Sequence, residues 1–150
     1  MTMGAVIFRE ATRWDMPGIA HVRTSVAENA ATADYLEQRG ITNESVAASF
    51  EGDSKGWVAE AGADIVAFSI ADRESRSIFA LFVMPDYEGR GLGSRLLELA
   101  LRWLGENGVD SVWLTTDPDT RAAAFYSHKG WVQMGIASNG ELRFEKRLDS

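Results

Sequence analysis

Residues 83–97, VMPDYEGRGLGSRLL, constrain this chain more than any other stretch. An apolar run over 77–84, SIFALFVM, meets Pro85, passes Gly89, Gly91 and Gly93, and gives way to leucines at helical spacing. Proline has no place inside a central strand, so the strand ends there. Glycines reach backbone conformations closed to other residues and let the chain come close to a ligand. The first amides of a helix lack internal partners, and the helix dipole adds partial positive charge beside them. A strand, a glycine turn and a helix start together form a cradle for an anion such as a phosphate. Arg90 and Arg95 add full positive charges nearby. The same residues also suit a tight strand-to-helix turn with no ligand, and glycines alone do not separate the two. No GK[ST] follows, which excludes a nucleotide-triphosphate P-loop. A dinucleotide fingerprint needs a third glycine where Ser94 or Leu96 stands, and an acid where the chain has Thr115 and Thr116.

The surrounding pattern sets this turn in a mixed sheet. A short strand is expected over 6–9. Asp15 is expected to cap a helix with Pro17 in its first turn and Ile19, Val22 and Val26 on its inner stripe, running to about Glu28. Residues 29–40 read as a polar loop. Thr42 caps a second helix, with Ile41 stapled onto Val46 and Phe50 continuing the face. Strands over 56–61 and 64–71 flank Gly62-Ala63 as a hairpin. The run over 77–84 is apolar on both faces, as a strand covered on both sides requires. A helix from 91 to about 107 presents Leu92, Leu96, Ala100, Trp103 and Leu104 inward and stops at Gly108. Residues 111–116 form another buried strand, and 120–129 a short helix stopped by Gly130. Strands over 131–137 and 141–148 flank Asn139-Gly140, a strong hairpin signal. Leu142, Phe144 and Leu148 face one way, and Arg143, Glu145 and Arg147 the other. The order β-α-α-β-β-β-α-β-α-β-β predicts an α/β (α+β) fold in which one parallel pair with a right-handed crossover interrupts a mostly antiparallel sheet with helices on both faces.

At 150 residues the chain has the length of one domain, and no linker or repeat divides it. Its formal net charge of −7 argues against a nucleic-acid footprint. With no cysteine there is no disulfide, no thiolate metal site and no Cys nucleophile, and His21 and His128 are too few for a histidine metal cluster. No apolar run is long enough for a signal peptide or a membrane helix, so the expected location is the cytoplasm, with neither nucleic acid nor membrane as partner.

Two segments together carry a family resemblance. V-x-P-x-Y-x-G-x-G-x-G-S-x-L-L resembles the acyl-CoA loop of the GNAT superfamily of N-acetyltransferases, with Glu88-Gly89-Arg90-Gly91-Leu92-Gly93 against the family's Q/R-x-x-G-x-G/A. Residues 119–131, DTRAAAFYSHKGW, are similar to its N-x-x-A-x-x-F-Y-x-x-x-G-F segment. Glu88 stands where the family has Gln or Arg, and Asp119 where it usually has Asn. The opening IFREATRWDMPGI looks like the family's first strand and helix, so the resemblance spans nearly the whole chain. It implies a central strand splayed from its parallel neighbour, with acetyl-CoA filling the gap and no metal. The backbone of Leu81, Phe82 and Val83 would pair with the pantetheine arm. Gly89, Arg90, Gly91, Leu92, Gly93 and Ser94 would hold the pyrophosphate, and Asp119 would lie near the arm. Tyr126 matches the tyrosine that protonates the departing thiolate, whereas Phe125 reads as core.

The acceptor implied is a small-molecule or peptide amine, attacked directly in a ternary complex. An ammonium must lose a proton before it attacks. Asp72, Glu74, Asp117 and water are the candidate bases, and each carboxylate also reads as a solvated loop charge or a cap. His128 and His21 read as surface residues. Acceptor choice would come from residues 30–39, with Asp34 and Glu37, and from residues 72–76. A non-catalytic acyl-CoA sensor is the alternative reading. The resemblance also implies a homodimer, because the C-terminal hairpin leaves an edge strand to cover.

Overall fold

Along Asp64–Asp72 (β3), Ala67, Ser69 and Ala71 alternate with Phe68 and Ile70, and all five are buried. Only a strand covered on both faces buries both sets. The structure, a computed structural model, describes residues 5–25, 41–118, 120–138 and 140–148. Seven strands form one sheet around β3: Val6–Glu10 (β1), Ser54–Ala61 (β2), β3, Ser77–Val83 (β4), Ser111–Thr116 (β5), Val132–Ile136 (β6) and Leu142–Arg147 (β7). Their order across the sheet is β1-β2-β3-β4-β5-β7-β6. Every neighbouring pair is antiparallel except β4 and β5.

Helices cover both faces. Met16–Ser25 (α1) and Asn43–Ser49 (α2) bury Met16, Ile19, Val22 and Val46 against Val58, Phe68 and Ile70. Leu92–Glu106 (α3) and Arg121–His128 (α4) pack on the other face, where Leu92, Leu96, Leu97, Ala100 and Leu104 meet Trp57, Ala59, Ala67 and Ala71. Ser69, buried under α3, donates from Oγ to the Leu96 carbonyl at 3.1 Å. Trp103 sits half-buried at the edge of the stripe with its ring edge-on to Trp57. The Thr42 hydroxyl accepts from the Ser45 amide at 3.0 Å, a cap worth about 1 kcal/mol. Thr120 caps α4 in the same way, accepting from Ala123 N–H at 3.2 Å.

Three expectations change. Asp15 does not cap α1: Thr12 leads into a 3-10 turn, Arg13–Asp15, that runs straight into the helix. The Asp15 carboxylate instead accepts from the Thr12 amide at 2.8 Å and from both terminal nitrogens of Arg9 at 2.8 and 2.7 Å. Arg9 also bonds Glu60, and the guanidinium holds the Asp15 carboxyl below the usual carboxylate range. Second, β4 is buried on both faces only at Ser77 and Ile78; its later residues are half-buried and Phe79 is 47% exposed. Third, β5 buries Val112, Leu114 and Thr116 and leaves Ser111, Trp113 and Thr115 half-buried. Both strands are less covered than their apolar sequences suggest because they part from each other. Val26 to Glu28, the 30–39 segment with Asp34 and Glu37, Asp119 and Asn139 lie outside the described residues.

Candidate active site

β4 and β5 pair in register at a single point, Ser77 opposite Trp113, and beyond it they diverge. The divergence begins at a bulge. Ile70 pairs with Ala80 and Ala71 with Ile78, which leaves Phe79 without a partner on β3. A bulge adds a residue to one strand, bends it and increases its twist. From Phe79 onward β4 therefore keeps β3 on one edge and offers unpaired backbone on the other. Leu81, Phe82 and Val83 lie on this stretch, opposite Ser69, Phe68 and Ala67 of β3.

The chain leaves β4 through a 3-10 turn, Pro85–Tyr87, and enters the glycine loop. Gly89 and Gly91 have φ of +77° and +84°, and a Cβ at either would touch nothing within 4 Å. Glycine is needed there for the backbone angle, and the space beside it is open. Gly91 heads α3 without any side-chain cap, and the first helical bond is Arg95 N–H to Gly91 O at 3.1 Å. The amides of Leu92, Gly93 and Ser94 precede that bond and have no carbonyl of the helix to meet. A Cβ on Gly93 would make only ordinary van der Waals contact, 3.6 Å from Val83 and 3.7 Å from Phe125, at the point where the loop, the end of β4 and α4 meet. The loop, the end of β4 and α4 thus converge on one residue. A pyrophosphate fits the open, amide-lined turn, and an extended amide chain fits the free edge of β4. From Gly91 and Ser94 a groove of about 1100 Å3 continues along α3 to Gly105, with Lys129, Trp131 and Lys146 on its other wall.

The charges around the loop are partly committed. The Arg90 guanidinium lies 4.9 Å from the Tyr87 ring centre, while Arg95 is held by Glu98 on the next turn of α3. Glu88 reaches Arg121 at the start of α4, with Nε to Oε2 at 3.2 Å, and ties the loop to that helix. Nothing in the sequence pattern pointed to Arg121.

Of the paired aromatics of α4, Tyr126 is the more buried. Tyr126 is 5% exposed and packs on Phe125, Trp131 and Phe144 at centroid distances of 5.1, 5.5 and 6.0 Å. Burial pushes its phenol pKa well above the ordinary value, so the hydroxyl stays protonated at neutral pH. Phe125, expected in the core, is half-buried and faces Gly93. Of the candidate bases, Asp72 caps the β3–β4 turn, accepting from the amides of Glu74 and Ser75 at 2.9 and 3.1 Å. Asp72 and Glu74 sit at the end where β4 still pairs with β5. Asp117 follows β5 at the parted end, and its carbonyl accepts from the Thr120 hydroxyl at 2.8 Å. His21 and His128 are exposed, as expected. Among the described residues no three His, Asp or Glu side chains form a metal-binding group, and no helix is long and apolar enough to cross a membrane.

Residues 18–131 match the profile of the Acetyltransferase (GNAT) family. A mycothiol acetyltransferase from Beutenbergia cavernae is 37% identical over 68 residues, which is 45% of this chain and 23% of that protein. The [ribosomal protein bS18]-alanine N-acetyltransferase of Haemophilus influenzae is 29% identical over 77 residues, 50% of this chain and 53% of that one. The chain therefore aligns with only part of the length of these relatives. The crystal structure of PaiA N-acetyltransferase from Thermoplasma acidophilum, in complex with coenzyme A, superposes with a TM-score of 0.80 over 96% of this chain and 99% of that one, at 15% identity. With the family profile matched across both motif segments and the fold shared end to end, the chain belongs to the GNAT family of acetyltransferases.

Proposed function

We propose that residues 1–150 act as one N-acetyltransferase-like domain that moves an acetyl group from acetyl-CoA to an amine by direct attack. The observation that carries this reading is the uncapped, glycine-headed start of α3 beside the parted edges of β4 and β5. Acetyl-CoA supplies an activated acyl thioester. The amides of residues 89–94 hold its pyrophosphate, aided by Arg90, and the free edge of Leu81, Phe82 and Val83 pairs with the amide arm. Asp119, outside the described residues, keeps the role near the arm that the resemblance gives it.

The incoming ammonium gives up one proton, to water or to Asp117 at the parted end. Its nitrogen then bonds the acyl carbon as the carbon–sulfur bond breaks. Tyr126 donates its hydroxyl proton to the departing sulfur and is reprotonated from solvent. Burial keeps the phenol protonated at neutral pH, so the proton it would donate is present. The similarity to a ribosomal-protein alanine acetyltransferase favours a peptide N-terminus as a second class of acceptor. We assign the enzyme to the cytoplasm, where acetyl-CoA is available. We further assign it a homodimeric state through β6, an edge strand on which Val132, Met134 and Ile136 are 60%, 54% and 64% exposed.

Thiol release from acetyl-CoA, measured on the purified chain against free amines and short peptides, tests the activity. Turnover with at least one class is expected. Stabilisation by acetyl-CoA with no thiol released from any acceptor would leave the sensor reading in its place.

A further inference from the structure

Among the described residues, three arginines stand around the glycine loop, and they are held differently. Arg95 is bonded to Glu98 of its own helix, and Arg90 lies over the Tyr87 ring, 4.9 Å from its centre. Arg121 comes from α4, and its partner is the loop itself: Nε meets Oε2 of Glu88 at 3.2 Å, one residue before Gly89. This pair adds little to the fold. The Arg121 side chain is 70% exposed and that of Glu88 30%, and ion pairs open to water are weak. Arg121 is also the first residue of α4, where a cation opposes the helix dipole. Glu88, in turn, sets a carboxylate beside a turn built for an anion, where it repels the ligand that the turn suits. Both charges are poorly placed for stability alone.

The topology fixes where Arg121 stands. β4 and β5 are parallel, so α3 and α4, which follow them, start from the same end of the sheet. Both pack on one face of it, through Leu92 and Leu96 of α3 and Ala123 and Tyr126 of α4. Residues four apart share a helix flank, and two contacts show that the flank of Arg121 and Phe125 is turned to the loop. Arg121 meets Glu88, and Phe125 lies in contact range of Gly93. Lys129, four residues further on, borders the groove that Gly91 and Ser94 also line. An anion on the amides of Leu92, Gly93 and Ser94 therefore has the Arg121 flank of α4 beside it. A guanidinium presents five donors in a planar fork, so it can rest on a carboxylate through Nε and meet a phosphate through its terminal nitrogens.

We propose that Arg121 binds the pyrophosphate of CoA from the α4 side of the loop, and that Glu88 is the positioning residue that holds it there. This rests on the acetyltransferase reading and deepens it, since that reading gives the phosphates only residues 89–94. The two side chains act on affinity in opposite directions. Arg121 tightens the hold on the phosphates, and Glu88 loosens it by its own charge while keeping the arginine at the loop. A pair that only tied the loop to α4 has no such opposition.

The test is a set of titrations with CoA, dephospho-CoA and pantetheine on the parent, Arg121→Met, Glu88→Gln and the double variant. Dephospho-CoA keeps the pyrophosphate and lacks the 3′-phosphate, and pantetheine has neither. Arg121→Met should raise the Kd of CoA and of dephospho-CoA about 10-fold, the scale of one charge-assisted contact in an open site. It should also flatten their salt dependence and leave pantetheine unchanged. Glu88→Gln should lower both Kd values. The deciding comparison is Arg121→Met in the Glu88→Gln background. No ion pair remains there to be broken, yet CoA should still bind about 10-fold more weakly than to Glu88→Gln alone. The melting temperatures of the unliganded variants should stay close to that of the parent, because the pair is exposed. An Arg121→Met effect that vanishes in the Glu88→Gln background would make the pair a structural tie and overturn the proposal, as would equal weakening of pantetheine. An effect on CoA that is absent with dephospho-CoA would overturn the pyrophosphate assignment in favour of the 3′-phosphate. CoA that binds the parent and every variant alike removes only the role of Arg121, whereas CoA that fails to bind the parent removes the acetyltransferase reading and this contact with it.

Discussion

Tyr126 is held by three aromatic neighbours on the inner face of α4, and no hydrogen bond to its hydroxyl forms among the described residues. The ring is therefore a core group and the hydroxyl adds little to that packing. Tyr126→Phe keeps the ring, so the melting temperature should stay close to that of the parent. Turnover should fall by about 10²-fold, the scale of general acid catalysis. Unchanged turnover on the true acceptor would make Tyr126 a packing residue only. At this scale the sequence was only partly informative. The F-Y pair stood out, but which aromatic turns inward depends on the rotation of α4 against β5 and β7, and no local pattern sets that angle.

At the scale of elements, the cleft is made by a bulge and a glycine turn acting together. The bulge at Phe79 frees the edge of β4, and the turn then delivers the amides at the start of α3 to the same end. Gly93 lies where the two meet, in contact range of Val83 and Phe125, so a larger side chain there adds bulk beside the loop amides. Gly93 is helical, so Gly93→Val tests the space without imposing a backbone strain. A saturating ligand at 100 times its Kd stabilises by about 2.7 kcal/mol. The parent should show the corresponding rise in melting temperature with CoA, and Gly93→Val should lose most of it. A full rise in a folded Gly93→Val protein would remove the loop from cofactor binding.

For the whole molecule, β6 is the conspicuous surface. It ends the sheet, and Val132, Met134 and Ile136 are exposed on it, with Val132 opposite Glu145 of β7, Ile136 opposite Leu142, and a register shift between them at Met134. Light scattering should give twice the mass of the chain at working concentration, and Met134→Lys with Ile136→Lys should return it to monomer. A parent that scatters as a monomer would remove the dimer. Charge on an edge strand is how folded proteins prevent such pairing, and β6, Val132–Ile136, carries none.

The sequence by itself determined the elements and their order, because periodicity, caps and glycine stops are local. Leu92, Leu96, Ala100 and Leu104 marked α3, Thr42 and Thr120 marked the starts of α2 and α4, and the glycine turn marked the anion site before any strand was placed. Tertiary structure decided what those elements enclose. Whether an apolar strand is covered on both faces depends on its neighbours, so SIFALFVM read as fully buried although most of β4 borders a cleft. Asp15 read as a cap because its real partner, Arg9, comes from a strand and meets it only when β1 lies beside α1. The parting of β4 from β5 has no local code at all. It follows from one residue of β4, Phe79, left unpaired against β3 and from where α3 returns the chain, which are properties of the assembled sheet.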